Sequence, residues 1–184
     1  VRLLTGLADD DRGRRIAEHL TASGVQVDPA SWVLDRTSTA TVTLNADRSA
    51  NYAFEIDARL SAPTLAGERI VHIGSISAFM HPSADIIAEF LYGLPSDVCV
   101  TFDPNIRPAL VGEHADAVAR FEAIAGRADV VKLSDEDAEW IYPGGELPAI
   151  VDRIAALGPR LVAVTRGGEG ALLSAGGQQI VADA

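Results

Sequence analysis

The stretch Val98-Cys99-Val100-Thr101-Phe102-Asp103-Pro104-Asn105-Ile106-Arg107-Pro108 decides how the rest of this chain is interpreted. It begins as a short β-prone segment, apolar at nearly every position, which is typical of a parallel strand covered on both faces. It ends in a polar turn that carries an anion, an amide and a cation with five donors, namely Asp103, Asn105 and Arg107. Ligands of open α/β sheets bind at the carboxyl ends of strands, so these side chains are candidates for chemistry. A plain strand-terminating turn explains Asp-Pro-Asn equally well.

Strand and helix patterns alternate on both sides of this stretch. Short apolar runs predict strands at 1–5, 69–73, 98–102, 130–132, 161–165, 171–174 and 178–181. Helical spacing of apolar residues predicts helices at 12–23, 82–91, 113–125, 135–142 and from 147 to about 157. Strands that alternate with helices form a parallel sheet with right-handed crossovers, so the predicted fold class is α/β.

Residues 33–57 follow a different pattern, with a period of two. Threonines alternate with apolar residues up to a turn-like segment at 45–48, and the alternation resumes at 50–56. This pattern predicts a hairpin with one polar and one apolar face. Because two strands alone are barely stable, we expect the hairpin to lean on another element or to pair with a second copy. Tyr52 and Phe54 fit either a ligand cleft or core packing.

Composition and charge exclude several classes of protein. A length of 184 residues suits one domain, or a core domain with a small appendage. The formal charge of −11 disfavours nucleic acid and anionic membranes as partners. The single cysteine, Cys99, rules out a disulfide framework and a cysteine-based metal site. The chain shows neither a signal peptide nor an apolar run of about 20 residues, so we expect a soluble cytoplasmic protein.

Three loops are predicted at strand carboxyl ends: Gly74-Ser75, residues 103–107 and residues 165–170. The last is rich in glycine, which lets backbone N–H groups approach a phosphate closely, and Arg166 lies beside them. It is not a P-loop, because Gly-Lys-Ser/Thr is absent, and it is not a dinucleotide fingerprint, because a strand follows it. A plain hairpin turn remains an alternative.

Taken together, the blocks at 102–108, 131–137 and 164–170 resemble successive motifs of the PfkB (ribokinase-like) carbohydrate kinases. The pattern Asp-Pro-Asn-x-Arg is typical of fructokinase-like members. Residues 9–15 and Gly24-Val25 resemble the family's early Gly-Asp-Asp-x-x-Gly block and the Gly-Val after it, with Ala8 in place of a glycine. The resemblance runs along the whole chain in the family's order. It implies a ribokinase-like three-layer fold with a mostly parallel sheet and a small β-hairpin lid at about 33–57.

The resemblance also implies an activity, ATP-dependent phosphorylation of a sugar hydroxyl with Mg²⁺, and a possible homodimer through the lid hairpin. It implies catalytic roles for Arg107 and Asn105. It implies substrate binding by Gly74, Ser75, Tyr52 and Asp103, and nucleotide binding by Lys132, Thr165, Arg166, Gly167, Gly168 and Gly170. Asp137 would be a metal residue, because Ser134-x-x-Asp137 falls where many relatives have Asn-x-x-Glu. A helix-capping role for Ser134 is an equal alternative.

Two family motifs have no counterpart in the chain: an early Gly-Gly-x-x-x-Asn block and the Gly-Ala-Gly-Asp block that carries the general base. We therefore expect the chain to be the middle of a kinase domain. One alternative is a catalytically inactive sugar- or nucleotide-binding protein of the same fold. Another is a module that binds no nucleotide and uses the hairpin as a dimer surface.

The 184-residue chain itself is predicted to phosphorylate no sugar, because transfer to a hydroxyl needs a base for its proton and none is identified. The measurement is ADP release from magnesium–ATP with fructose, ribose or 2-keto-3-deoxygluconate, beside a full-length relative as control. Turnover within about a hundredfold of that control would contradict the expectation, and Asp103 would then be the first candidate base to replace.

Overall fold

The computed structural model describes residues 1–44 and 50–184, and the chain divides into two compact units. The first unit comprises Val1–Pro63 with His81–Ile86, and the second comprises Thr64–Met80 with Ile87–Ala184. The turn predicted at 45–48 lies outside the described residues. No helix in the described part of the chain is long and apolar enough to cross a bilayer.

The first unit contains two small sheets and one full helix within its described residues. The elements are β1 (Arg2–Leu3), α1 (Asp11–Ala22), β2 (Gln26–Val27), β3 (Thr39–Leu44) and β4 (Ala50–Glu55). Strands β1 and β2 pair in parallel, and β3 and β4 form the predicted antiparallel hairpin. Tyr52 pairs with Val42 in this hairpin, but the Tyr52 side chain lies outside the described part of the structure. The strand predicted at 1–5 is shorter than expected, with two residues.

Asp10 joins the start of α1 to the segment before the hairpin. It caps the helix by accepting the Gly13 N–H at 2.8 Å, and it also accepts the Thr37 N–H at 2.9 Å and the Thr37 hydroxyl at 2.7 Å. The Thr37 hydroxyl in turn accepts the Ala8 N–H at 3.1 Å. These donors, the Thr37 N–H first, lower the pKa of Asp10 from its ordinary 3.8 to about 2.

The second unit is built on a six-stranded sheet among its described residues, in the order β10-β9-β8-β7-β6-β5. Helix α2 begins in the first unit and continues into the second. The elements are β5 (Ile70–Gly74), α2 (Ser83–Gly93), β6 (Cys99–Asp103), α3 (His114–Ala125), β7 (Val130–Ser134), α4 (Asp135–Ile141), α5 (Leu147–Ala155), β8 (Leu161–Thr165), β9 (Ala171–Ala175) and β10 (Gln178–Ala182). Strands β5 to β8 pair in parallel, and β9 and β10 add two antiparallel neighbours.

One face of this sheet forms the core of the second unit. Phe102 on β6 is 1% exposed, and its ring centroid lies 5.8 Å from that of Phe121 on α3. The same face carries the fully buried valines and leucine Val100, Val131, Leu133, Val162 and Val164. The alternate positions, such as Thr101, are only half-buried in the described chain. The burial of these strands therefore follows a period of two, and in the described residues the second face is less completely covered than the first.

Replacing Asp10 with asparagine should remove a pH-dependent contribution to stability while keeping an oxygen for the cap. The folded pKa lies below the unfolded one, so the charge stabilises the fold above pH 3.8 and this contribution is lost as the pH falls through about 2. Urea unfolding of both proteins over a pH series should show a difference in the free energy of unfolding that is constant near neutrality and shrinks in acid. A difference of the same size at every pH would mean that the Asp10 charge does not act through these bonds.

Candidate functional site

The carboxyl ends of β5 to β8 meet along one edge of the sheet in the second unit. The register places Gly74 beside Asp103 and Ser134 beside Thr165. The predicted site residues of this unit lie in the last half of these strands or in the segments that follow them: Gly74, Ser75, Asp103, Asn105, Arg107, Lys132, Asp137, Thr165, Arg166, Gly167, Gly168 and Gly170. Tyr52, the remaining predicted residue, belongs to the first unit.

The backbone is strained at two points along this edge. Ser75, directly after β5, has a φ of 77°, and Asn105, after β6, has a φ of 41°. They are the non-glycine residues with positive φ among the described residues. Such strain concentrates at functional sites because the surrounding structure has to maintain it. The Asp-Pro-Asn turn is consistent with a positive φ at Asn105, since asparagine tolerates this conformation, whereas the sequence predicted a loop at Ser75 but gave no sign of its positive φ.

The loop after β6 presents its polar residues outward on a buried apolar base. Ile106 is 5% exposed, whereas its neighbours Asn105 and Arg107 are exposed. Asp103 accepts the Asn105 N–H at 3.2 Å, which closes the turn. The Arg107 Nη1 donates to the Ile106 carbonyl at 2.8 Å and to the Asn105 carbonyl at 3.4 Å. These bonds use one of the three guanidinium nitrogens, so the side chain is held in place with donors in reserve.

Lys132 adds a second cation to the edge. Its Nζ lies 3.1 Å from the Asp103 Oδ2, across the neighbouring strands β6 and β7. The side chains are 46% and 26% exposed, so this ion pair contributes little to stability. Its effect is to orient the ammonium and the carboxylate at the carboxyl end of the sheet.

The glycine-rich turn between β8 and β9 leaves its backbone accessible. It forms one 3₁₀ turn over Gly167–Glu169, and Gly167 has a φ of 53°. Among the described residues, apart from the glycine and its two chain neighbours, no heavy atom lies within 4 Å of the position that a Cβ would take at Gly167 or Gly168. A ligand can therefore approach this backbone closely.

Gly170 is a glycine for a different reason, the close passage of another strand. It has a φ of 87°, and a Cβ there would lie 2.0 Å from the carbonyl oxygen of Ala182 in β10. The sequence alone does not distinguish the glycines of this turn, but the structure separates an open pair from one that packing requires.

Arg166 is held against the same turn. Its Nη2 donates to the Glu169 carbonyl at 3.0 Å, and its Nη1 lies 3.5 Å from the Glu169 carboxylate. Its Nε is buried and has no hydrogen-bond partner among the described residues. A buried donor without a partner costs free energy, so this arginine is positioned at the expense of an unsatisfied N–H.

Asp137 makes structural bonds with both carboxylate oxygens. Oδ2 accepts the Ser134 N–H at 3.2 Å, and the Ser134 hydroxyl accepts the Asp137 N–H at 3.0 Å, which together form a capping box. Oδ1 accepts the Ile106 N–H at 2.8 Å. The described residues contain no group of three or more His, Cys, Asp or Glu side chains that could hold a metal ion. These contacts fit a structural carboxylate and fit a direct metal ligand poorly.

A shallow cavity of about 490 Å³ lies away from this edge, near α3, α4 and α5. Two polar residues of its lining are already paired: the Tyr142 hydroxyl donates to the neighbouring Glu122 at 2.8 Å, and Arg153 lies 3.9 Å from the Tyr142 ring centroid. Burial and the Glu122 carboxylate raise the pKa of Tyr142 to about 12, so it stays protonated at ordinary pH. We interpret this cluster as packing.

Three comparisons place this geometry among known proteins. The sequence pattern of the pfkB family carbohydrate kinases matches residues 1–184. A fructokinase from Rhizobium leguminosarum bv. trifolii is 31% identical over 175 residues, which cover 91% of this chain and 53% of that relative. The chain thus spans about half the length of that curated protein.

Solved structures agree with this result. The fructokinase of Halothermothrix orenii superposes with a TM-score of 0.85 at 26% identity, over 98% of this chain and 67% of that one. A fructokinase from Vibrio cholerae, crystallised with fructose, ADP and a calcium ion, gives a TM-score of 0.80 at 25% identity, over 99% and 62% of the two chains. The ribokinase-like fold expected from the sequence is confirmed.

Substitution by alanine should change stability differently at the two kinds of glycine in this turn. Gly170→Ala should destabilise the chain by about 1–3 kcal/mol, because it adds a Cβ against Ala182 at a positive φ. Gly168→Ala is the matched control, since open space surrounds that position. Urea unfolding of the two variants measures the difference. Equal stability would show that β10 does not pack on Gly170.

Proposed function

This chain belongs to the pfkB family of carbohydrate kinases, and on that basis we propose that the protein transfers the γ-phosphoryl group of ATP to a hydroxyl of fructose. One observation carries the proposal. Three cationic side chains, Arg107, Lys132 and Arg166, lie at the carboxyl ends of the neighbouring strands β6, β7 and β8. In a chain of net charge −11, this concentration of cations at the ligand-binding edge suits a polyphosphate.

The nucleotide phosphates would bind at the turn between β8 and β9. Gly167 and Gly168 leave space for oxygens next to the backbone, and Arg166 and Thr165 flank them. Lys132, two strand positions before the end of β7, would contact the terminal phosphate. The ADP in the Vibrio cholerae fructokinase supports a nucleotide as one substrate.

The sugar would bind on the β5 and β6 side of the same edge. Asp103 and Asn105 supply a carboxylate and an amide, which are ordinary partners of sugar hydroxyls. Gly74 and Ser75 form the adjoining strand end, and the family resemblance also assigns Tyr52 of the hairpin to the sugar. The fructose in the Vibrio cholerae structure supports fructose as the acceptor.

Arg107 would act on the transition state. Phosphoryl transfer moves charge onto the oxygens between nucleotide and acceptor, and catalysis depends on cations already held where that charge develops. The two bonds from Nη1 to the loop carbonyls keep the guanidinium beside Asn105 before any substrate binds.

The metal would enter with the nucleotide. Mg²⁺ keeps several waters and is commonly held by substrate phosphates with one or two carboxylates, so no dedicated protein cage is required. Bound there, Mg²⁺ would neutralise charge on the phosphates.

Because the proposed reaction uses ATP, we propose the cytoplasm as the compartment. We also propose a homodimer through the hairpin, where the apolar Val42 is 49% exposed.

The test uses a protein of full family length that contains these 184 residues. Arg107→Ala should lower kcat for fructose by about a hundredfold or more, and should raise KM much less, because the lost contact acts in the transition state. Arg160→Ala is the matched control, since Arg160 is exposed and precedes β8 at the opposite end of the strand.

Failure of the unaltered protein to phosphorylate fructose or another sugar would leave a binding protein of the same fold as the better interpretation. A change confined to KM in Arg107→Ala would assign Arg107 to substrate binding alone.

A further inference from the structure

We propose that Asp137 is a positioning residue, which holds the loop of Asn105 and Arg107 through the backbone of Ile106 and does not bind metal. The importance of this loop rests on the function proposed above. The positioning itself is a property of the folded chain and can be measured without any substrate.

Asp137 connects three segments of the second unit. Its Oδ2 accepts the N–H of Ser134, the last residue of β7, and Asp137 itself lies in the first turn of α4. Its Oδ1 accepts the N–H of Ile106, 31 residues earlier in the sequence. The residue is 7% exposed, and its bond to Ile106 is buried while that to Ser134 is partly buried. Bonds from a charged acceptor in such surroundings are stronger than those between neutral groups.

The Ile106 backbone transmits this restraint to the site. Its N–H is bonded to Asp137, and its carbonyl accepts the Arg107 Nη1 at 2.8 Å. Its side chain is buried, so the residue cannot shift without loss of packing. The Ile106 N–H and the Asn105 carbonyl belong to the same peptide unit, so the bond to Asp137 also sets the direction of the Asn105 carbonyl, next to the strained φ of 41°. Loss of the bond between Ile106 and Asp137 would therefore release Asn105 and Arg107 together.

A metal role fits these contacts poorly. A carboxylate that binds Mg²⁺ directly has to present an oxygen to the ion at 2.0–2.1 Å in near-octahedral geometry. Here each oxygen already accepts a backbone N–H, and 7% exposure leaves little surface for a nucleotide-bound ion. The side chain length matters as well, because a glutamate would carry the carboxylate one methylene beyond the Ile106 N–H.

Capping of α4 is a separate role of the same residue and needs its own control. Ser134→Ala removes the acceptor of the Asp137 N–H and leaves the bond between Asp137 and Ile106 possible. Asp137→Asn keeps one side-chain oxygen, now uncharged, and replaces the other with a donor, so the bond to Ile106 is either lost or made to a weaker neutral acceptor. The two variants therefore separate weakening of the helix cap from release of the loop.

The first experiment is amide hydrogen exchange by NMR on the 184-residue chain. In Asp137→Asn the Ile106 amide should exchange about tenfold faster or more, whereas the core amides of Val100 and Phe102 keep their protection. In Ser134→Ala the Ile106 amide should stay protected. An unchanged Ile106 rate in a folded Asp137→Asn protein would overturn the proposal.

A second measurement needs no variant and covers the case in which Asp137→Asn does not fold. A scalar coupling across the hydrogen bond, between the Ile106 amide nitrogen and the Asp137 carboxyl carbon, should be detectable in the unaltered chain. Its absence, with the couplings of the β5 to β8 ladder visible as an internal reference, would overturn the proposal.

The metal alternative is tested by measuring the affinity of the chain for ADP at a series of magnesium concentrations. Asp137→Asn and Asp137→Glu should keep the magnesium dependence of the unaltered protein, whereas a ligand role requires the asparagine variant to lose it and the glutamate variant to retain it. In a full-length active protein, Asp137→Asn should lower kcat without raising the magnesium concentration needed for half-maximal rate. If ADP does not bind at all, the proposed function fails, but the Ile106 results still decide the role of Asp137.

Discussion

The parallel hydrogen-bond ladder from β5 to β8 is the constraint on which the candidate site depends. Parallel strands all begin at one edge of the sheet, so the loops that follow them are collected at the other edge. The register then sets which residues are neighbours, with Gly74 beside Asp103 and Ser134 beside Thr165. Residues more than ninety positions apart in the sequence, such as Gly74 and Gly170, are brought to the same end of the sheet. The register is held because a slip by one residue would turn the buried apolar side chains to the other face.

Each charged group along this surface is held by a near neighbour. Lys132 is oriented by Asp103, Arg166 by Glu169, and Arg107 by the carbonyls of its own loop. None of these bonds is deeply buried, so they add little to stability. They place cations in advance where phosphate charge would lie, which is how preorganised sites lower the cost of reaching a transition state.

Much of the fold could be predicted from the sequence, because each main strand of the second unit is an apolar run with a polar loop behind it. Helix α4 and its Ser134 cap were also predictable, since a capping box is a local signal. The pairing of β1 with β2 was not, because two residues per strand carry no pattern. The bond from Ile106 to Asp137 and the contact of Gly170 with Ala182 join residues distant in sequence. Such contacts depend on the final packing and leave no trace in local spacing.

The most direct measurement is the set of amide chemical-shift changes that magnesium–ADP causes in the NMR spectrum of the chain, with adenosine as the control that lacks phosphates. We expect ADP, but not adenosine, to shift the amides of Gly167 and Gly168 and those of residues 103–107, because both loops lie at the carboxyl edge of one sheet. Shifts confined to the cavity around Tyr142, or equal shifts with adenosine, would contradict a phosphate site at this edge.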